Sequence, residues 1–305
     1  MKLVTYLTGG EQRLGALLDD EHLVDLAKAY LVDRQAAGGG DFAGFPADMK
    51  AFLEAGEPAW EAARQTLDRA RSNPGSLESG VIQPLSGVKL AAPVPNPTKI
   101  VAVGLNYMDH CREQNVEVPK SPILFAKFPS SVIGPGDPIC WSPELTSQVD
   151  YEGELAVIIG RTARDVPAEQ AYEYVAGYTI VNDISARDLQ FGDGQWVRGK
   201  SLDTFCPMGP WLVSRDEIED PQNLEIRTWV NDQLLQDSNT REMIFKIPEL
   251  IEFMTRAFTL YPGDVISTGT PDGVGVSRDP QVLLKKGDRV KVAVQGLGEL
   301  GNYAG

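Results

Sequence analysis

The run Leu155-Ala156-Val157-Ile158-Ile159 constrains this chain most, because an unbroken apolar stretch of that kind predicts a strand buried on both faces. Glu152-Gly153-Glu154 leads directly into it. Alternate residues of a strand share a face, so Glu152 and Glu154 can reach one point in space, with little bulk at Gly153 between them. Asp183 follows 29 residues after Glu154, at the end of a second apolar run, Tyr178 to Val181, so a neighbouring strand can deliver a third carboxylate. Buried carboxylates need a counter-charge. An all-oxygen set without cysteine or histidine suits Mg²⁺, Mn²⁺ or Ca²⁺ rather than zinc. By spacing alone, Glu-x-Glu also fits the solvated face of an amphipathic strand.

The charge balance narrows the partners. A net charge of −15 repels nucleic acid and anionic membrane over most of the surface, and is compatible with cation binding. No segment has the apolar length to span a bilayer, and Met1-Lys2-Leu3-Val4-Thr5 lacks the pattern of a signal peptide, so a cytoplasmic protein is expected. Cys111, Cys140 and Cys206 show no Cys-x-x-Cys spacing and read as reduced thiols.

The pattern predicts an α+β, β-rich chain in two parts, a small N-terminal domain and linker over residues 1–92 and a large domain of mixed sheets over 93–305. Leu3–Tyr6, Leu14–Leu18 and His22–Val24 form a meander. A helix begins near Leu26 with Asp25 as its N-cap, and a second carries Trp60, Ala63, Leu67 and Ala70 on one stripe behind Pro58. Gly38-Gly39-Gly40 is a flexible break between them, and Pro93, Pro95 and Pro97 mark an extended linker. Strands are expected at Ile100–Val103, Ile123–Ala126, Leu155–Ile159, Tyr178–Val181, Pro210–Val213, Leu224–Val230, Asp264–Ser267 and Arg289–Val294. Helices are expected at Ala168–Tyr174 and Ile247–Ala257.

Of the two histidines, His22 reads as a surface or turn residue. His110 lies in a polar stretch after the Ile100–Val103 strand, where helical spacing would let Glu113 hydrogen-bond its imidazole. A carboxylate behind a histidine fixes its tautomer and raises its basicity, as a general base requires. The alternative is a surface histidine with an incidental partner. Cys111 points elsewhere and is set aside.

Asn106-Tyr107 with His110 and Glu113, Asp150-Tyr151-Glu152-Gly153-Glu154, Val181-Asn182-Asp183 running into Ala186-Arg187-Asp188-Leu189-Gln190, Gly199-Lys200-Ser201, and Ser267-Thr268-Gly269-Thr270-Pro271 occur here in one order. Together these resemble the fumarylacetoacetate hydrolase family over about residues 98 to 302. The layout resembles that of bacterial members acting on acylpyruvates and related oxo-acids. The resemblance implies that Glu152, Glu154 and Asp183 hold Mg²⁺, with Mn²⁺ tolerated, and that His110 and Glu113 form a water-activating dyad on a lid. It further implies that Lys200 points into the site, and that Arg187, Gln190, Thr270 and Lys127 contact substrate, Lys127 from another basic position near the lid. A lysine between Gly199 and Ser201 also reads as a solvated loop residue.

The expected reaction is metal-dependent cleavage of the carbon-carbon bond of a 2,4-dioxo acid, giving pyruvate and a carboxylic acid. The same apparatus suits decarboxylation or tautomerisation of oxaloacetate, or isomerisation of a carboxymethyl-hydroxymuconate-type diacid. A lid from Met108 to Lys120 is expected to wall the pocket and so to set specificity. A binding protein with a structural ion would need none of His110, Glu113, Lys200 and Gln190. A homodimer is expected from the resemblance alone.

Overall fold

The computed structural model describes residues 1–37, 44–76 and 80–305, so the expected break at Gly38-Gly39-Gly40 lies outside the described residues. The central strand is Gly153–Ile159, buried at every position. Its alternate residues divide between two cores, as a strand covered on both faces requires. Leu155, Val157 and Ile159 enter one core with Ile226, Val292 and Leu300. Ala156 and Ile158 enter the other with Phe52, Leu53, Trp60 and Leu67.

These two cores follow from a layered architecture. The large sheet runs in the order Ile82–Pro84, His22–Asp25, Glu11–Leu17, Lys2–Thr8, Cys206–Ser214, Val175–Asn182, Gly153–Ile159, Val265–Ser267, Ile100–Gly104, Ile123–Lys127. Its strands pair antiparallel along this path except Val265–Ser267 with Ile100–Gly104. The N-terminal helices cover one face. A second sheet, ordered Gln233–Asn239, Glu225–Val230, Arg289–Val294, Gly298–Ala304, Pro138–Ile139, covers the other with the helix Ile247–Ala257. That helix buries Ile247, Leu250, Ile251 and Met254, and Glu249 caps it by accepting from the Lys246 N–H at 2.7 Å.

The N-terminal meander continues the large sheet, since Lys2 pairs with Val213 and Leu3 with Leu212. Asp25 caps the helix Leu26–Ala37 through the Lys28 N–H at 3.0 Å. Its other oxygen takes the Tyr6 hydroxyl at 2.7 Å and Arg13 Nε at 2.8 Å. The stripe Trp60, Ala63, Leu67 and Ala70 is buried in the helix Glu57–Ser72. The proline-rich stretch near Pro93 forms no regular element, and Thr5 Oγ1 donates to the Pro93 carbonyl at 2.7 Å.

Several elements depart from the sequence pattern. Ala168–Tyr174 is a 3-10 helix, and the strand expected at Pro210–Val213 begins at Cys206. The helix Met49–Ala55 and the strands Gln233–Asn239 and Gly298–Ala304 carry weak signals. In the last strand Leu300, Asn302 and Ala304 are buried and alternate with Glu299, Gly301 and Tyr303, so one inward residue is polar and apolar alternation does not announce the strand. Among the described residues, no helix is long and apolar enough to cross a membrane.

Candidate active site

Register brings the carboxylates together. Gly153 pairs with Asn182 and Glu154 with Val181, so Asp183 falls opposite Glu152, and its N–H donates to the Glu152 carbonyl at 2.8 Å. Ligand oxygens of Glu152, Glu154 and Asp183 lie within 4.8 Å of one another, all three side chains buried. Gly153 has a different task from the one its spacing suggests. A Cβ there would lie 2.3 Å from Thr228 Oγ1 and 2.9 Å from Val292 Cγ1, so the glycine admits the second sheet rather than clearing space between the glutamates.

Cations are distributed unevenly over this cluster. Lys200 Nζ donates to Glu152 Oε2 at 2.6 Å and Asp183 Oδ2 at 2.8 Å. Lys127 Nζ donates to Asp183 Oδ1 at 2.5 Å, and Arg187 Nη1 lies 2.6 Å from Glu152 Oε1. Among the described residues, Glu154 has only neutral donors, Ser267 Oγ at 2.5 Å and the Gly269 N–H at 2.9 Å. Burial opposes ionisation of Glu152, but Lys200 and Arg187 outweigh it and hold its carboxyl down to about 2. Burial, with Asp183 and Glu152 adding repulsion, pushes Glu154 up to about 8. Burial likewise opposes the charge of Lys200, yet Asp183 and Glu152 hold it above its ordinary value. Three clustered carboxylates, one of them short of positive charge, are a donor set that fits a hard divalent cation.

The segment after Val265–Ser267 fastens the site to its surroundings. Gly269 adopts φ 102°, and a Cβ there would lie 2.9 Å from Asn106 Cβ. Asn106 donates to the Thr268 carbonyl at 2.7 Å and accepts from the Phe245 N–H at 2.8 Å, tying three segments together. Thr270 Oγ1 donates to the Gly153 carbonyl at 3.0 Å and accepts from Gln236 Nε2 at 2.8 Å. Its hydroxyl is therefore bonded to the scaffold through its proton and one lone pair, while the residue lines the cavity.

The helix Met108–Gln114 carries the dyad. His110 is 4% exposed, and its Nδ1 lies 3.1 Å from Glu113 Oε2. The other Glu113 oxygen accepts from the Gly273 N–H at 2.8 Å. Ser238 Oγ donates to Asp109, and Cys111 is buried with its thiol raised by that burial, which sets it apart from the chemistry.

His110, Glu152, Glu154, Arg187, Gln190, Lys200 and Thr270 line one cavity, with Glu113 and Asp183 behind them. Lys200 is enclosed in a short helix, Val197–Lys200, and is not a solvated loop residue. Lys127 corrects an expectation. It is sealed beneath Asp183, also bonded to the Lys200 carbonyl, and so positions a carboxylate where substrate contact was expected. From the expected lid, His110 and Gln114 reach the cavity and residues 115–120 do not.

The sequence pattern also missed an aromatic wall. Trp196 packs edge-on against Phe125 at 5.4 Å, and a Cβ on Gly104 would lie 2.3 Å from its ring. Phe125 in turn lies 5.2 Å from Lys200 Nζ. No spacing signal links residues this far apart in the chain. Asp150 was legible only as part of a motif, and it anchors Arg187 Nε at 2.9 Å.

Comparison with known proteins places this geometry. The family model described as Fumarylacetoacetate (FAA) hydrolase C-terminal matches residues 99–303. Oxaloacetate tautomerase YisK of Bacillus subtilis (strain 168) is 42% identical over 310 residues, spanning 100% of both chains. The mitochondrial oxaloacetate tautomerase fahd2 of Xenopus laevis is 49% identical over 259 residues, which is 84% of this chain and 78% of that one. Maleylpyruvate hydrolase from Sphingobium sp. SYK-6, solved in complex with manganese(II) ion and pyruvate, superposes with a TM-score of 0.75 at 33% identity, covering 100% of this chain and 98% of that one.

Proposed function

Because the chain belongs to the fumarylacetoacetate hydrolase family, we propose that it moves a proton between carbon and oxygen of a small 2-oxo diacid, as a divalent-metal-dependent oxaloacetate keto–enol tautomerase. The observation that carries this reading is the pairing of His110 with Glu113 on the rim of a cavity whose floor holds three carboxylates and Lys200. A proton acceptor and a concentration of cations are what enolisation beside a carbonyl needs. Bound by Glu152, Glu154 and Asp183, a magnesium or manganese ion would supply positive charge to the 2-oxo-carboxylate end of the substrate.

The chain's own residues supply the rest. Glu113 accepts the Nδ1 proton of His110, and Nε2, 2.9 Å from Gln114 Nε2, takes the proton from the carbon next to the oxo group once substrate displaces that amide. Lys200 uses two N–H bonds on Glu152 and Asp183 and keeps a third for the oxygen that gains charge. Gln190 Oε1 accepts from Arg187 Nη1 at 3.0 Å, so its NH₂ remains to donate to a ligand oxygen. Trp196 and Phe125 exclude water from that side. Return of the proton from His110 to oxygen completes the conversion.

A second reading, hydrolysis of an acylpyruvate, is favoured by the same dyad, which suits activation of water. One experiment separates them. The metal-loaded protein is mixed with enol oxaloacetate and, in parallel, with acetylpyruvate, with a chelated sample and His110→Ala as controls. Metal-dependent loss of the enol, with oxaloacetate conserved, supports the tautomerase. Pyruvate from acetylpyruvate alone would make it a hydrolase, and pyruvate and carbon dioxide from oxaloacetate a decarboxylase.

A further inference from the structure

The aromatic wall of the cavity is fixed in place. Trp196 opens the short helix Val197–Lys200, and its carbonyl accepts the Lys200 N–H at 3.0 Å. Indole and ammonium therefore belong to one helical turn, over which the backbone rises about 6 Å. The indole is held on two sides. Gly104 backs it, since a Cβ there would lie 2.8 Å from Cη2 and nearer still to Cζ3. Phe125 braces it edge-on, with 5.4 Å between ring centroids and 70° between their planes. A ring so seated cannot swing aside for a larger ligand without giving up both contacts.

The backbone beside this seat is strained. Leu105, next to Gly104, lines the cavity at φ 51°, a region that residues other than glycine rarely adopt. Such strain persists only where the surroundings impose it, and it clusters at ligand sites. The cavity itself is small, about 70 Å³, against roughly 300 Å³ or more in pockets that take drug-sized ligands.

We propose that Trp196, seated on Gly104 and braced by Phe125, sets the size limit of the substrate, admitting a four-carbon 2-oxo diacid and turning away longer ones. The proposal rests on the oxaloacetate reading only for which acid fits best. Phe125 lies 5.2 Å from Lys200 Nζ, so the wall rises from the charged floor and is apolar above it. With the 2-oxo-carboxylate end of a diacid on the floor, the second carboxylate of a four-carbon acid stays beside the Lys200 and Gln190 donors. Each added methylene carries that carboxylate up the wall, toward ring faces where a charge loses water without gaining a partner. Size and polarity thus act in the same direction.

The test measures binding, so it does not depend on the reaction. Calorimetry on the Mn²⁺-loaded protein gives dissociation constants for oxaloacetate, 2-oxoglutarate and 2-oxoadipate, each longer than the last by one methylene. In the unaltered protein affinity should fall about tenfold or more at each step. In Trp196→Ala the fall should shrink to about threefold or less per step, with Mn²⁺ affinity retained as the sign of an intact floor. Trp196→Phe, which keeps a smaller ring on Gly104, should lie between the two. Equal binding of the three acids by the unaltered protein, with longer tails leaving by the mouth past the 64% exposed Phe191, would overturn the proposal. So would a fall in Trp196→Ala as steep as in the unaltered protein. If the unaltered protein does not convert oxaloacetate but Trp196→Ala erases the discrimination, the tautomerase reading fails and the size limit stands.

Discussion

The floor and the rim of the cavity are built on different principles. The floor is set in strands. Glu152, Glu154 and Asp183 sit where register fixes them, at most 6% exposed, each held by backbone or by buried cations. The rim is one short helix, Met108–Gln114, fastened by a few polar contacts. Asp109 takes the Ser238 hydroxyl, Glu113 takes the Gly273 N–H at 2.8 Å, and Asn106 leads in from Thr268 and Phe245. The difference separates affinity from turnover. Changes in the floor should alter ion binding and stability together, while changes in the rim should alter rate alone.

The harshest test of that division is Asp183→Ala, which leaves Lys127 and Lys200 buried without one of their carboxylates. Loss of about 3–5 kcal/mol of stability is expected from uncompensated buried charge. Urea unfolding checks this, and calorimetric titration with Mn²⁺ should show binding lost in the same variant. His110→Ala is the counterpart on the rim. Roughly 10²- to 10⁴-fold should go from kcat, as for a general base, with Mn²⁺ affinity retained. If His110→Ala also lost the ion, floor and rim would be one unit.

Much of the floor was legible in the sequence, and the reason is local. Glu152-Gly153-Glu154 ahead of five apolar residues states both the burial of the strand and the side on which its carboxylates lie. His110 and Glu113 were legible for the same reason, since helical spacing is a short-range code. What stayed hidden is long-range. Gly153 looked like a spacer because Thr228, which needs its missing side chain, is on another strand. Lys127 read as a ligand-contacting cation because nothing in sequence says that Asp183 closes over it. The wall of Trp196 and Phe125 joins an irregular loop to an edge strand, and periodicity carries no information across such a gap.

Two glycines sharpen the division. Gly153→Ala would drive a methyl group against Thr228 and Val292, and about 1–3 kcal/mol of overpacking strain in the floor should lower both the melting temperature and ion affinity. Gly273 has φ 94°, and a Cβ there would meet the Leu235 carbonyl. Gly273→Ala should therefore displace the N–H that holds Glu113 and depress kcat while Mn²⁺ affinity stays near that of the unaltered protein. Equal losses of affinity in the two variants would erase the distinction.

Within the floor, Glu154 sets the pH response. Its carboxyl is raised from an ordinary 4.5 to about 8, first by burial and then by Asp183 and Glu152. A raised carboxyl favours the folded state below its unfolded value, and that contribution is lost as pH rises from about 4.5 through 8. An ion must displace the same proton, so Mn²⁺ affinity should climb about tenfold per pH unit and flatten near 8. Calorimetry in buffers of different ionisation enthalpy should count close to one proton released per ion at neutral pH. Glu154→Gln should bind the ion weakly and show no such slope. A pH-independent affinity in the unaltered protein would mean that Glu154 is not held protonated at neutral pH.

The smallest expected effect lies at the fastening of the rim. Ser238 belongs to the second sheet, and its hydroxyl on Asp109 is the link between that sheet and the helix carrying His110. Asp109 also accepts from the His110 N–H at 2.7 Å, so it would keep one partner if Ser238 were removed. The loss should then be that of a single hydrogen bond, about 1 kcal/mol, or about fivefold in the ratio of molecules with the rim in place to those without. Ser238→Ala should accordingly lower kcat by about fivefold at most, with no change in Mn²⁺ affinity and little in melting temperature. Opening of the helix is readable separately, as faster amide hydrogen exchange confined to residues 108–114. Faster exchange with unchanged kcat would show that the rim closes on substrate without help from the second sheet, and would put the control of turnover in the Glu113–Gly273 contact alone.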